Sequence, residues 1–256
     1  MADTIKMKVA RTIKRRTPVI SGLRWVNKGV RAFSSKTHQA QFLAEWFVDN
    51  PEHFDHFLDQ HYQWSKTRES FAWERGVFSR LALTPDAKVL ELCCGDGFNS
   101  YHFYSVTASE IIAIDFDEEA IRWARRNFKT PGLTFVEGDI RSDIPNGPFD
   151  NVIWDAAIEH FTEVEIDALM SRIKEVLRTE GSLSGYTIIE RDDGHKSLDQ
   201  HEYEFHNKED LARFLTPHFK NVQVFSTTFP SRTNLYFYAS DGPLPFDHEW
   251  SLTIRR

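Results

Sequence analysis

The stretch KVLELCCGDGFNS, from Lys88 to Ser100, decides the fold of this chain. Its first half contains Val89, Leu90 and Leu92, an apolar run short enough to form one buried strand. The run breaks at Gly95-Asp96-Gly97, and a stretch with a helical pattern follows. Because glycine has no Cβ, a turn of this kind between a strand and a helix lets a ligand approach the backbone closely. The sequence therefore predicts a ligand site at this turn.

An acidic residue ends the next apolar run. Residues 111–114, Ile-Ile-Ala-Ile, lead into Asp115, about 20 residues after the glycines. In nucleotide-binding α/β folds this position holds the carboxylate that binds the ribose hydroxyls. The succession of strand, glycine turn, helix, strand and acid predicts the first half of a doubly wound α/β domain.

Two classes of cofactor use such a half-domain, and the residues around the turn separate them. A dinucleotide site usually requires G-x-G-x-x-G, but Ser100 stands at the third glycine position. A dinucleotide site also has no need of an acid inside its first strand, where this chain has Glu91. An NAD(P)-dependent oxidoreductase therefore remains only as the alternative interpretation.

The segment Glu91-x-Cys93-x-Gly95-x-Gly97 resembles motif I of the class I S-adenosylmethionine (SAM)-dependent methyltransferases, E/D-x-G-x-G-x-G. Cys93 stands where the first glycine of that motif usually stands. SAM carries a sulfonium and an ammonium but no phosphate, which suits a site built with carboxylates. The resemblance implies methyl transfer from S-adenosyl-L-methionine to an oxygen or nitrogen of a small molecule, such as a sugar, glycan or lipid-linked metabolite. A SAM-binding scaffold protein without turnover is a second alternative.

The cofactor-binding residues that the resemblance implies lie at the ends of the first four predicted strands: Glu91, Cys93, Gly95, Gly97, Asp115, Phe116, Asp139, Ile140 and Trp154. Asp115 matches the ribose-binding acid, since a carboxylate can accept two hydroxyl hydrogen bonds. Phe116 would flank the adenine. Asp139 matches the acid that takes the adenine amino group, although it could instead cap a turn.

The segment WDAAIEHF, residues 154–161, follows the fourth predicted strand. In the family this loop faces the transferred methyl group, and the segment resembles the Glu-His pair common in small-molecule methyltransferases. It does not match the Asn/Asp-Pro-Pro-Tyr/Phe/Trp signature of enzymes that methylate base or amide nitrogens, so no nucleic acid partner is expected. His160 is the predicted general base, with Asp155 beside it as a second catalytic residue. A histidine that only orients the loop is the alternative.

Acceptor-binding residues are predicted in two further places. Tyr62 and Trp64 belong to N-terminal helices that resemble the helices covering the cofactor in this family. His195 and His201 belong to the polar loop after the fifth strand, which often covers the substrate. This loop is rich in potential metal ligands, yet their spacing matches no compact ligand motif, so no metal is predicted.

The regular alternation of strands and helices from Lys88 onward predicts an α/β fold. By the resemblance this is a Rossmann-like, seven-stranded, mostly parallel sheet with an antiparallel C-terminal hairpin, helices on both faces and extra N-terminal helices. The two final β-rich runs, 221–228 and 233–239, would form the hairpin. We predict three parts: a basic amphipathic arm (1–36), a helical cap (37–84) and the methyltransferase domain (85–256).

The bulk composition is that of a globular protein, with 41% hydrophobic and 27% charged residues among 256. No apolar run approaches membrane-spanning length. The two cysteines, Cys93 and Cys94, are adjacent and give no disulfide framework, which favours a reducing compartment. No signal peptide is recognisable at the N-terminus. We therefore expect a cytoplasmic location, and the sequence does not indicate an oligomeric state.

The charge of the chain is unevenly distributed. Residues 1–36 contain ten Lys or Arg and one acid, a net charge of +9 that leaves −16 for the rest. Within this arm, an apolar stripe of helical spacing runs from Val19 to Phe33 and includes Leu23, Val26 and Val30. The helix is expected to pack on the acidic body as part of a lid, to contact an anionic membrane surface, or to act as a cleaved organelle presequence.

Overall fold

The protein is described by a computed structural model that covers residues 17–46, 60, 63–65, 67–190 and 196–244. At the centre of the described part lies one seven-stranded sheet with the strand order β3-β2-β1-β4-β5-β7-β6. The strands are β1 (Lys88–Leu92), β2 (Glu110–Asp115), β3 (Leu133–Glu137), β4 (Phe149–Asp155), β5 (Leu177–Ile188), β6 (Asn221–Thr228) and β7 (Thr233–Ser240).

Strands β1 to β5 run parallel to their neighbours, whereas β7 pairs antiparallel with both β5 and β6. The strand order reverses between β1 and β4, so the carboxyl ends of these two strands flank the topological switch point of the sheet. Ligands of open α/β folds bind at such a point. The predicted fold class, including the antiparallel C-terminal hairpin, is confirmed.

The described helices are α1 (Thr17–Trp46), α2 (Phe71–Leu81), α3 (Phe98–His102), α4 (Glu118–Asn127), α5 (Glu163–Val176) and α6 (Lys208–Leu215). Polar side chains set where several of them begin. Asp117 accepts hydrogen bonds from the backbone at the start of α4. Thr162 and Glu165 form a capping box at the start of α5. These caps fix the helices that follow β2 and β4.

Two apolar clusters cover the two faces of the sheet. Leu90 and Leu92 of β1 belong to the cluster beneath α5 and α6, whereas Val89 belongs to the cluster beneath α3 and α4. Successive residues of a strand point to opposite faces, so burial on both faces requires the near-continuous apolar run that the sequence shows. The core thus holds the strand ends rigidly where the ligand site forms.

Two boundaries differ from the sequence prediction, and both differences have a local cause. The helical stretch predicted after the glycine turn is only the short α3 followed by a 3-10 turn, Tyr104–Val106. Tyr104 is fully buried there and its hydroxyl donates to Asp155. Strand β5 follows α5 directly at Leu177, with no glycine turn between them, because Leu177 pairs with Phe149 ahead of a register shift.

The N-terminal helix α1 presents its apolar stripe to solvent. The stripe side chains from Val19 to Phe33 are between 44% and 73% exposed, and Trp25 beside them is 78% exposed. The helix continues through residues 36 and 37, across the predicted boundary between arm and cap. Within the described ranges, no helix combines the length and the apolar character needed to cross a membrane.

Candidate cofactor and acceptor site

A cavity of about 510 Å³ opens at the carboxyl ends of β1 to β5. Its walls come from the loops after these strands, from α2, from residues 197–201 and from the residue that precedes β7. Ten of the site residues predicted from the sequence line it together: Glu91, Cys93, Gly95, Asp115, Phe116, Asp139, Ile140, Asp155, His160 and His201.

The turn after β1 has the backbone conformation that motif I requires. Gly95 and Gly97 have φ values of 53° and 76°, in the left-handed region. A Cβ on Gly97 would clash with the Phe135 ring, so this glycine permits close packing against β3 and does not line the cavity. Cys93 has a φ of 55°, so the position where the family usually has glycine is left-handed here as well. That conformation strains an L residue by about 1–2 kcal/mol.

Asp115 fastens this turn to the end of β2. Its carboxylate oxygens accept hydrogen bonds from the backbone N–H of Gly95 at 2.8 Å and of Asp117 at 2.9 Å. Burial raises the pKa of the Asp115 carboxyl, and the backbone donors partly oppose that rise. Phe116 follows with its side chain 58% exposed at the cavity wall, which leaves the ring accessible to a flat ligand group.

Glu91 and Ser100 form a buried hydrogen-bonded pair at the turn after β1. Glu91 is buried in β1, and the Ser100 hydroxyl donates a hydrogen bond to its carboxylate. Burial raises the pKa of Glu91 well above its usual value. The two residues that depart from the dinucleotide fingerprint are therefore in contact. Asn99 lies beside them on the cavity wall, and its buried Oδ1 atom has no hydrogen-bond partner within the described part of the chain.

Asp139 and Ile140 form the wall after β3. The Asp139 carboxylate accepts a hydrogen bond from the backbone N–H of Arg141 at 2.9 Å, so this side chain does cap a turn. It also pairs with the Arg141 guanidinium at 3.4 Å. Asp139 remains partly exposed at the cavity, while Ile140 is buried. The turn-capping contact and a ligand contact are geometrically compatible.

Four predicted site residues lie elsewhere or outside the described ranges. Trp154 is fully buried and does not line the cavity; its ring packs edge-on behind the lining residue Phe161, with the ring centroids 5.4 Å apart. Trp64 is 53% exposed and is not part of the wall either. Tyr62 and His195 lie outside the residues that the structure describes.

Asp155 is the buried acid at the end of β4. Its carboxylate accepts hydrogen bonds from the hydroxyls of Ser79 (2.7 Å) and Tyr104. Burial raises its pKa from 3.8 to about 6, against the effect of these two hydrogen bonds. The next residue, Ala156, has a φ of 53° and lines the cavity. Strained non-glycine backbone thus occurs at Cys93 and Ala156, on two strand ends that face one cavity.

Beyond Asp155, a compact group of acceptor-side residues closes the cavity. The rings of His160 and His201 meet edge to face with their centroids 4.9 Å apart. Glu159 is buried and accepts a hydrogen bond from the Thr187 hydroxyl at 3.0 Å. His201 is also buried, and its Nδ1 is hydrogen-bonded to Glu204. Glu159, His160 and His201 place one ligand atom each within 4.8 Å of one another.

Sequence reasoning missed the cationic residues of the wall, which are Arg75, Arg232 and the Asp139 partner Arg141. Arg75 projects from α2, and its buried Nε and Nη2 atoms have no hydrogen-bond partner among the described residues. Arg232 donates to the Tyr186 hydroxyl at 3.3 Å and covers the Phe71 ring at 4.4 Å. The helical cap predicted over 37–84 includes α2, but no local signal showed which side chains of this helix face the strand ends.

The sheet topology and the turn after β1 resemble those of class I SAM-dependent methyltransferases. Residues 89–181 match a family model described as a methyltransferase domain. The chain is 30% identical to the uncharacterized methyltransferase sll0829 of Synechocystis sp. (strain ATCC 27184 / PCC 6803 / Kazusa) over 103 aligned residues. The aligned residues are 40% of this chain and 47% of that protein. The chain thus spans about half the length of the curated relatives it matches.

Solved structures share the same fold at low sequence identity. The DhpI-SAH complex structure superposes with a TM-score of 0.55 at 17% identity, over 80% of this chain and 97% of that one. The methyltransferase in complex with the Haloferax volcanii Trm112 activator gives a TM-score of 0.56 at 12% identity, over 72% and 94% of the two chains. At this identity the likeness concerns the fold.

Proposed function

We propose that this protein transfers a methyl group from S-adenosylmethionine to a small-molecule acceptor. The observation that carries the proposal is the cavity at the switch point, which is lined by the buried acids Glu91, Asp115 and Asp155 together with Gly95 of the turn after β1. Such a site favours a cationic ligand with a ribose over a pyrophosphate, because carboxylates repel phosphate.

The residues present fit this cofactor. The Asn99 Oδ1 atom, which lacks a partner among the described residues, and the Glu91 carboxylate would take the ammonium end. Asp115 would accept hydrogen bonds from the ribose hydroxyls. Phe116 and Ile140 would enclose the adenine, with Asp139 at its amino group. When bound, SAM supplies an electrophilic methyl group on sulfur.

The acceptor would occupy the part of the cavity between α2 and the loop at residues 196–201. We propose that it carries an anionic group, because two buried guanidinium nitrogens of Arg75 have no hydrogen-bond partner among the described residues, and Arg232 lies on the same wall. His160 and Asp155 are the titratable residues proposed to act on the acceptor's proton. The protein's main contributions would be alignment of the acceptor and exclusion of water.

A methyl-transfer screen tests this function. Full-length protein would be incubated with methyl-labelled SAM and fractions of small polar metabolites, and labelled products would be sought with anionic compounds enriched among them. Transfer of label by the wild type supports the proposal. Binding of S-adenosylhomocysteine (SAH) with no product in any fraction would favour the scaffold alternative. Binding of NAD(P) with no affinity for SAH would favour the oxidoreductase.

We also propose that α1 contacts anionic membrane surfaces. Trp25 and Phe33 are exposed together with the apolar stripe, and Arg24, Lys28 and Arg31 are exposed on the same helix. Exposed aromatic and cationic side chains on one amphipathic helix match the chemistry of an anionic lipid surface.

A further inference from the structure

We propose that Glu159, His160 and His201 bind a divalent transition-metal ion on the acceptor side of the cavity. One carboxylate oxygen and two imidazole nitrogens lie within 4.8 Å of one another, and all three residues line the cavity. Glu159 and His201 are buried and His160 is half-buried, so an ion here would be shielded from bulk water yet open to a ligand in the cavity.

The chemistry of these ligands selects the kind of ion. Two imidazoles with one carboxylate suit Zn²⁺, Co²⁺, Fe²⁺ or Mn²⁺ better than Mg²⁺ or Ca²⁺, which prefer oxygen ligands throughout. A set of three protein ligands is typical of catalytic sites, in which the remaining positions take water or substrate. The cavity supplies the space for such a further ligand.

Two of the three proposed ligands, His201 and Glu159, already make the kind of hydrogen bond that orients ligands in metal sites. The Nδ1 atom of His201 is hydrogen-bonded to the Glu204 carboxylate, which leaves Nε2 as the ring nitrogen available to an ion. The Glu159 carboxylate accepts the hydroxyl of Thr187 on β5. Metal-binding histidines usually donate their second N–H to a carboxylate or carbonyl, and ligating carboxylates are themselves hydrogen-bonded.

The backbone also fixes the distant part of the cluster. His201 is far from Glu159 in sequence, but the backbone N–H groups of Glu202 and Tyr203 donate to the carbonyl of Glu159 at 2.9 and 3.1 Å. These two bonds place His201 beside the Glu-His pair. The three residues come together only in the folded chain, so the sequence contains no compact metal-ligand motif for them.

The proposal rests on the proposed function and makes it more specific, because it favours an acceptor hydroxyl over an amine. A hydroxyl that ligates the ion would have a lowered pKa, and its proton would leave to the solvent while the acceptor enters, before the occupied cavity excludes water. In the transfer, a bond forms between this oxygen and the methyl carbon. The bond between the methyl carbon and sulfur breaks, and sulfur keeps its electron pair. In this scheme His160 is a ligand and no longer the general base.

The test is metal binding by the full-length protein, measured independently of turnover. The protein would be stripped with a chelator and titrated with Co²⁺, whose visible absorption reports nitrogen and oxygen ligation, and then competed with Zn²⁺. We expect one Co²⁺ per chain in the wild type. His201→Gln should weaken Co²⁺ binding at least about 100-fold, and Glu204→Gln about 10- to 100-fold because it removes the partner of a ligand.

The matched control is His206→Gln. His206 belongs to the same segment and also pairs with a carboxylate, that of Glu190, but it is 64% exposed and does not line the cavity. This variant should bind Co²⁺ like the wild type. Thermal unfolding of each variant would show that the fold is retained.

SAH binding, measured by calorimetry on the same samples, separates this proposal from the proposed function. Normal SAH binding with no Co²⁺ binding, or with equal Co²⁺ binding by wild type and His201→Gln, would overturn the metal site and leave the methyltransferase proposal intact. Co²⁺ binding that depends on His201 without any SAH binding would support the metal site and overturn the cofactor assignment.

Discussion

The two halves of the cavity differ in how they are built and in the charge they carry. The cofactor half is formed by loops directly after β1, β2 and β3, and its buried charged groups include the carboxylates of Glu91 and Asp115. The acceptor half gathers residues from α2, the end of β4, the loop at 196–201 and the start of β7. It contains the guanidinium groups of Arg75 and Arg232.

This difference indicates a division of labour. The cofactor half offers the carboxylates of Glu91 and Asp115 to a cationic ligand. The acceptor half contains the acid Glu159 as well as two arginines, and the arginines would attract an anionic group of the acceptor. Asp155 lies between the two, with its pKa raised by burial. Substitutions in each half and at the boundary would break or sharpen this division.

Removal of the acceptor-side histidine should abolish most turnover while leaving the cofactor half intact. We expect His160→Ala to lower the methyl-transfer rate by about 100- to 10,000-fold, as either a lost base or a lost metal ligand would do. The SAH dissociation constant should change less than about threefold, since a deleted acceptor contact is worth little to the cofactor. Labelled-methyl assays and calorimetry would measure the two effects. Equal losses of both would contradict the division.

The opposite result is expected for the acid at the end of β2. Asp115→Ala should weaken SAH binding about 100-fold, because it removes a charged acceptor of two hydrogen bonds from the ribose. Calorimetry would measure the loss, with thermal unfolding as a check because Asp115 also bonds the backbone at Gly95. The exposed acid Asp167 on α5 provides the control Asp167→Ala. An unchanged affinity in Asp115→Ala would place the ribose elsewhere.

The boundary residue Asp155 should leave a signature in the pH dependence of stability. Its pKa in the fold is about 6, above the ordinary 3.8, so the native state binds more protons than the unfolded state between these values. Its contribution to the free energy of unfolding is therefore largest below pH 4 and falls as the pH rises to 6. Relative to Asp155→Asn, the wild type should lose about 2–3 kcal/mol between pH 4 and pH 7.

Urea unfolding of both proteins at several pH values would measure this difference. Acids that do not interact with Asp155 titrate alike in both proteins and cancel in the comparison. Glu91 repels Asp155 electrostatically, so both proteins would also carry Glu91→Gln to remove that coupling. A difference between the two proteins that stays constant from pH 4 to pH 7 would show that Asp155 is not perturbed.

The smallest effect is expected for membrane binding by the N-terminal helix α1. Neutralising Lys28 and Arg31 on α1 to Gln should weaken binding to phosphatidylserine vesicles by about 2 kcal/mol, or roughly 30-fold, because each cation near an anionic surface contributes about 1 kcal/mol. Vesicle sedimentation would measure it. The matched control neutralises Arg122 and Arg126 on α4, which are also exposed. Equal pelleting of all three proteins, or none by the wild type, would remove the membrane proposal.

The cofactor half could be predicted from the sequence because its residues lie close in sequence to strands that can be recognised. The glycine turn, Glu91 and Asp115 each sit at a fixed distance from a buried strand, and parallel strands bring their carboxyl ends to one edge. What could not be predicted depends on long-range packing. Trp154 follows the same rule of position as Asp155, yet its side chain points into the core, because neighbouring strand residues face opposite sides.

The acceptor half was predicted only in part for the same reason. His160 and His201 were each identified, but the backbone bonds that bring the later loop onto Glu159 have no sequence signature. The helix α2 was expected from its periodicity, whereas the position of Arg75 on the cavity wall depends on how this helix crosses the sheet. The cytoplasmic location and the three-part domain division remain predictions.

A crystal structure of the full-length protein with SAH would test the division of the cavity most directly. We expect the ribose hydroxyls on the Asp115 carboxylate, the adenine beside Phe116 and the amino-acid end near Glu91, with the sulfur facing Asp155 and His160. A ligand bound with its adenine toward Arg75 and Arg232, or a cavity that stays without SAH at saturating concentration, would contradict this division.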